Sequence, residues 1–253
     1  MCYTAQYLLE KALKRARHYG VREDVVKYEE ELRYFKNLYV VSGFSHPQLI
    51  IYTNTAPYHP ILSQWGLIPH WVKSFDQAKD LRNKTLNAKG ETLFDKPSFR
   101  DAVKNHRCLI PASGFYEYYH YNKKAYPFFI CRKDHEPLML AGLWSIWHNK
   151  ETNKHMNTCS IVTTQANILL KQLHNNPNIK EPRMPLILSA DKEEAWLLMT
   201  NKNQLEQILK PFPAHELTAY PVQKITGTGS VGNIPAASQP YAYEELSEIW
   251  KNT

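Results

Sequence analysis

The stretch RCLIPASGFYEYY, residues 107–119, reads as two β-strands in succession. Cys108, Leu109 and Ile110 form an apolar run, and Gly114 gives the chain room for a bulge or bend before the aromatic run that follows. Within Phe115-Tyr116-Glu117-Tyr118-Tyr119 the single charge sits among rings. Alternation along a strand gives Glu117 two readings: a residue turned to solvent, or a polar group held in a cavity. Outward from this pair, strand composition recurs at 126–132, 137–144 and 158–164, in the PRMPLIL run, and at 38–52, where Ser-Gly and His-Pro break the run. QWGLIPHWVK (64–73) reads as a further short strand ending at Pro69, followed by a polar connection to NKTLNAKGET (83–92).

Helices frame these strands. Residues 7–19 place Leu9, Ala12, Leu13 and Ala16 on one stripe and stop at Gly20. Asp24 is the expected cap of a second helix carrying Val25, Tyr28, Leu32 and Phe35. Short helices are expected around PSFRDAVKNH and over 166–174, ending at His174; another opens at Asp191–Glu194 with a capping-box pattern, and Pro211 ends the one after it. From about residue 226 the chain is turn-rich, with a short helical end near Trp250. No repeat or linker divides it. The expected architecture is one α+β domain over residues 1–253, with peripheral helices on a curved, mainly antiparallel sheet.

With 16 Tyr, 9 Phe and 6 Trp the chain is aromatic-rich, whereas 9 Gly in 253 residues argue against a glycine-rich nucleotide cradle. The formal charge is +7, and His70 to Arg107 holds nine Lys/Arg against five Asp/Glu. Such a surplus permits an anionic partner. Cys108, Cys131 and Cys159 fall in strand-like runs, where cysteine is usually a small buried hydrophobe, and no cysteine or histidine spacing suggests a metal. No apolar run approaches a membrane span, and no signal core follows Met1. These features read as cytoplasmic and reduced.

Cys2 follows the initiator methionine directly. Removal of Met1 gives it a free α-amine and a thiol on adjacent carbons, with ordinary pKa values of roughly 7.7–8.0 and roughly 8.5. An aldehyde meeting both forms an imine that the thiol closes into a thiazolidine. Taken alone, the dipeptide is equally a frayed terminus carrying an accidental cysteine.

The order of motifs resembles one family. Cys2, Trp65–Pro69 (WGLIP), Asn87–Thr92 (NAKGET), Arg107–Pro111, Gly114–Glu117, Ala141–Trp144, Thr163–Asn167, His174 and Arg183–Pro185 are similar, in sequence, to the SOS-response-associated peptidase (SRAP) proteins, the abasic-site processing family. The resemblance covers nearly the whole chain, to about Asn233. It implies an α+β fold with a barrel-like core, no cofactor or metal, a monomer, and single-stranded DNA containing abasic sites as partner. It also implies covalent capture of those sites by Cys2, with Asn87, Glu117 and His174 as the other catalytic residues. Lys89, Arg183, Trp71, Pro47 and Thr163 are the implied DNA contacts, Arg183 as a phosphate clamp. This chain departs from the family in two places. Cys2-Tyr3-Thr4 stands where many members have Cys-Gly-Arg, and Glu181 holds the position two before Arg183 where many place the histidine. Treating NNPNIKEP as an insertion keeps His174 in the role; otherwise Glu181 takes it. A cysteine peptidase acting through Cys2, or a non-catalytic single-strand-binding module, are the rival functions.

Overall fold

The computed structural model describes residues 3–247 together with 249 and 250. Cys2, the expected capture nucleophile, lies outside the described residues. In chain order the elements begin with strand β1 (Thr4–Tyr7), helices α1 (Leu9–Tyr19) and α2 (Arg22–Glu31), and strands β2 (Leu38–Ser42), β3 (Gln48–Thr53) and β4 (Ala56–Trp65). Helix α3 (Phe75–Arg82), strand β5 (Asn87–Lys89), helix α4 (Arg100–Asn105) and strands β6 (Arg107–Ala112), β7 (Gly114–Tyr121), β8 (Lys124–Arg132), β9 (Leu138–Asn149) and β10 (Lys154–Gln165) follow. Helix α5 (Ile168–Leu173), strand β11 (Arg183–Pro185), helices α6 (Ala190–Leu198) and α7 (Lys202–Ile208), and strand β12 (Leu217–Pro221) complete the set.

Five strands form a closed ring. β10 pairs with β4, β4 with β3, β3 with β6, β6 with β9, and β9 returns to β10. Only the β4–β10 contact is parallel. Closure leaves the ring no free edge of its own, and β5 and β11 add onto β10 beyond it. The second sheet, β12-β8-β7-β1-β2, is antiparallel throughout. The α+β expectation with a barrel-like, mainly antiparallel core therefore holds.

Residues 107–119 carry the chain from one sheet to the other. β6 and β7 are consecutive but pair with different partners, so they are not a hairpin. At the crossing Ser113 donates its N–H to Gln6 O (2.8 Å) and its hydroxyl accepts from Leu8 N (3.2 Å), which ties the corner to the end of β1. Gly114 acts through close packing: a Cβ there would lie 2.2 Å from the Phe129 ring. Along β6, Cys108, Ile110 and Ala112 face the core shared with Phe115, Phe128 and Ile130 of the second sheet, while Leu109 faces the opposite cluster with Ala141, Leu143 and Trp196. Arg107 is buried and donates to the carbonyls of Val103, Leu197 and Met199, anchoring the ends of α4 and α6 against β6.

Several boundaries differ from expectation for physical reasons. Helix α1 starts at Leu9, because Thr4–Tyr7 are drawn into the sheet between β2 and β7. Val21, not Asp24, caps α2; Asp24 lies in its first turn, where the N-terminal dipole still favours it. The strand expected at 64–73 ends at Trp65, since Gly66 turns the chain at φ 112°. Inside the polar connection Ser74 caps α3 through Gln77 N (3.2 Å). Ser189 caps α6, and its side chain makes no capping bond. The turn-rich tail is no loose appendage: Ala237, Leu246 and Trp250 are buried.

Candidate active site

Strand alternation decides between the two readings of Glu117. Phe115 on β7 faces the inter-sheet core, Tyr116 faces the other side, and Glu117 shares the Phe115 face. Among the described residues β1 pairs with β7 as far as Tyr116, opposite Thr4, and Glu117 is the next residue along β7. The residue is 7% exposed, and burial pushes its carboxyl from 4.5 to about 7. Near neutral pH the group is therefore shared between acid and carboxylate, the condition suited to moving protons.

His174 reaches Glu117 from α5. The Asn167 side chain accepts from Leu170 N (2.9 Å) and donates to Phe212 O (2.8 Å), so the cap also fixes the helix to the chain before β12. Leu170 and Leu173 bury the inner face, and His174 closes the helix with its N–H on Leu170 O (2.9 Å). Its Nε2 stands 3.9 Å from Glu117 Oε2. That is too long for a direct hydrogen bond but within reach of a shared substrate oxygen. Burial pushes the imidazole from 6.5 down to about 4, so it is neutral beside the carboxyl. Together with Tyr3, Tyr118, His120, Asn176 and Ile179 they line a pocket of about 300 Å³. Glu181 is exposed and does not line it, so the geometry brings His174 to Glu117.

The other expected residues are placed as follows on their own elements. Asn87 opens β5, in parallel register with Ile161, and is half-buried. Lys89, exposed at the far end of β5, is in register with the buried Thr163 of β10. Arg183, expected as a phosphate clamp, is engaged within the protein. It is 4% exposed, its guanidinium grips Glu91 through two contacts (2.7 and 3.2 Å), and it also donates to Thr163 O (2.8 Å) and Oγ1 (3.3 Å). The fork that was to meet phosphate is occupied within the protein. Pro47 accepts from Trp65 N (2.9 Å) at the turn before β3. Trp71, 40% exposed, borders a separate pocket of about 270 Å³ with Pro69, His70, Pro97 and His106. Among the described residues no group of three His, Cys, Asp or Glu is placed to hold a metal, and no helix is long and apolar enough to cross a membrane.

Sequence alone does not point to Tyr3, Tyr118, His120, Asn176 or Ile179. The only available signal is the run of Asn175, Asn176 and Asn178 directly after His174, since asparagine bonds readily to backbone.

The chain is similar to several known proteins. The chain is 36% identical over 168 residues to the abasic site processing protein YoqW of Bacillus subtilis, covering 65% of this chain and 70% of that one. It is 28% identical over 190 residues to the abasic site processing protein HMCES of Gallus gallus, covering 67% of this chain and 54% of that one. A crystal structure of a protein from Bacteroides thetaiotaomicron superposes with a TM-score of 0.83 at 33% identity, covering 95% of this chain and all of that one. The model of the family described as SOS response associated peptidase (SRAP) matches residues 2–228. With its barrel, its second sheet and this span of matching sequence, the chain belongs to the SRAP family.

Proposed function

We propose that this protein processes abasic sites in DNA, capturing the ring-opened sugar in single-stranded DNA on Cys2 as a thiazolidine. The observation that carries the reading is the pairing of a buried carboxyl near neutral pKa with a neutral imidazole, in a pocket that Tyr3, the sequence neighbour of Cys2, also lines. An abasic deoxyribose is mostly a closed hemiacetal. Protonated Glu117 gives its proton to the ring oxygen while neutral His174 accepts the proton of the anomeric hydroxyl, and the aldehyde is released. The Cys2 amine adds to the aldehyde carbon, and loss of water gives an imine. The thiol then adds across the C=N bond, its proton passing to nitrogen. One water leaves overall, and no oxidant or cofactor is required. Asn87, with an amide that both donates and accepts, orients the amine or the sugar without adding charge. Lys89 and Thr163, together at the β5–β10 edge, Pro47 and Trp71 are the proposed DNA contacts.

The test is a time course of heat-stable protein–DNA adduct on denaturing gels, with abasic and intact oligonucleotides. Cys2→Ser should give no stable adduct. Glu117→Gln should slow formation by roughly 10²–10⁴-fold while leaving DNA binding intact, the usual range for a positioned proton-transfer group. Normal adduct yield from Cys2→Ser refutes the mechanism.

A further inference from the structure

His120 stands three residues after Glu117 on β7 and lines the same pocket. Two features set it apart from an ordinary strand histidine. Its Nδ1 is buried without a hydrogen-bond partner among the described residues, as is Glu117 Oε1. Buried polar atoms are rarely left unpaired, so three in one pocket, His174 Nδ1 included, point to a ligand bearing several polar oxygens. The backbone of His120 is also held in an unusual way. Among the described residues β1 pairs with β7 as far as Tyr116, and further along β7 the Asn175 side chain bonds the backbone as a neighbouring strand would. Asn175 Oδ1 accepts from His120 N (2.7 Å) and its Nδ2 donates to His120 O (2.9 Å). The residue after His174 is thereby locked to the residue three after Glu117, so one carboxamide fixes both histidines relative to the carboxyl.

The charge inventory of the pocket narrows what His120 meets. Tyr3, Glu117, Tyr118, His120, His174, Asn176 and Ile179 include no lysine or arginine. The abasic sugar is flanked on both sides by phosphodiesters, and burial keeps His174 neutral. Among the described lining residues the His120 imidazole, with Nδ1 unpartnered, offers a ring nitrogen to hydrogen-bond a phosphodiester oxygen.

We propose that His120 is a further substrate-contacting residue, one that hydrogen-bonds a phosphodiester adjoining the abasic sugar, with Asn175 as the positioning residue that holds it there. The proposal rests on the abasic-site reading, but its test does not need the covalent step. The probe is a single-stranded oligonucleotide with a tetrahydrofuran abasic analogue, which binds but has no aldehyde to capture. Three versions are compared: all-phosphate, and a single neutral methylphosphonate on the 5′ or the 3′ side of the analogue. Wild-type protein should lose about tenfold in affinity on one of the two neutral versions, the scale of one hydrogen bond to a charged group. His120→Gln should lose about as much on the all-phosphate probe and nothing further on that same neutral version. His120→Arg should restore all-phosphate binding to within a few-fold. Asn175→Ala should reproduce the His120→Gln pattern, a linkage-specific loss that general destabilisation does not give. Losses from His120→Gln and from methylphosphonate that simply multiply on both sides overturn the proposal, as does wild-type binding indifferent to both neutral linkages. Failure of the natural abasic site to give an adduct, with the linkage pattern intact, sinks the capture chemistry and leaves this contact standing.

Discussion

Glu117→Gln and His174→Gln should tilt the dependence of stability on pH in opposite directions. Glu117 rises from 4.5 in the unfolded chain to about 7 when buried. A carboxyl raised in this way contributes stability fully below pH 4.5 and loses it as pH climbs through about 7, because the ionised form must then be buried. At about 1.4 kcal/mol per pH unit the swing is about 3 kcal/mol, an upper bound where solvent relaxes around the charge. His174 has the reverse sign. Its imidazole falls from 6.5 to about 4, so its contribution is present above pH 6.5 and is lost as pH falls through about 4. The two windows overlap between pH 4.5 and 6.5, where the opposing slopes cancel and the wild-type curve is shallow. Glu117→Gln removes one slope. The variant should be more stable than wild type at pH 8, by up to about 3 kcal/mol, and should weaken towards acid. His174→Gln should instead weaken from pH 4.5 to pH 8. Urea unfolding at pH 5, 6.5 and 8 measures all three curves. Parallel slopes in the two variants, or a Glu117→Gln protein less stable than wild type at pH 8, would refute the reasoning.

Three further outcomes are expected. Protein expressed without an N-terminal tag should have the intact mass of a chain beginning at Cys2, and retention of Met1 in adduct-forming protein would rule out the thiazolidine. Arg183→Lys should lower the unfolding free energy by about 1–2 kcal/mol, because a point charge cannot reproduce the two-point grip on Glu91 and Thr163. It should leave the salt dependence of DNA binding unchanged; a fall of about 0.7 in the slope of log affinity against log salt would return Arg183 to the phosphate contacts. Gly114→Ala should destabilise by about 1–3 kcal/mol in the same unfolding assay, since a Cβ has to displace Phe129 in a packed core; a neutral effect would show that the ring yields freely.

The sequence carried the strand content of the fold more fully than its connections. Alternation and β-branched or aromatic runs marked most strands, and Cys108, Cys131 and Cys159 are buried in them as expected. The ring itself was hidden, because it depends on residues such as Gln64 and Thr158 meeting across most of a hundred positions, and no local pattern encodes that pairing. The direction of Glu117 was undecidable for a related reason: either face of β7 carries aromatics, and only the partner sheets show which one is core. The spacing from Thr163 pointed to His174, and the structure places it 3.9 Å from Glu117. The engagement of Arg183 was hidden because its motif shows an arginine but not the Glu91 carboxylate that pairs with it, which lies on a different element. His120 was invisible because its distinction lies in a backbone clamp from a residue 55 positions away.

The parallel β4–β10 contact also sets the order in which the protein can be made. Every other seam of the ring is antiparallel, and β3–β4 and β9–β10 are joined by short connections, so those pairs zip locally. The last seam has to wait until the ribosome has released β10, long after β4. Until then β4 and β9 expose unpaired backbone to other chains in the cell. Ring closure is therefore the slow, long-range step of folding, and the nascent chain is most prone to aggregation before residues 154–165 emerge.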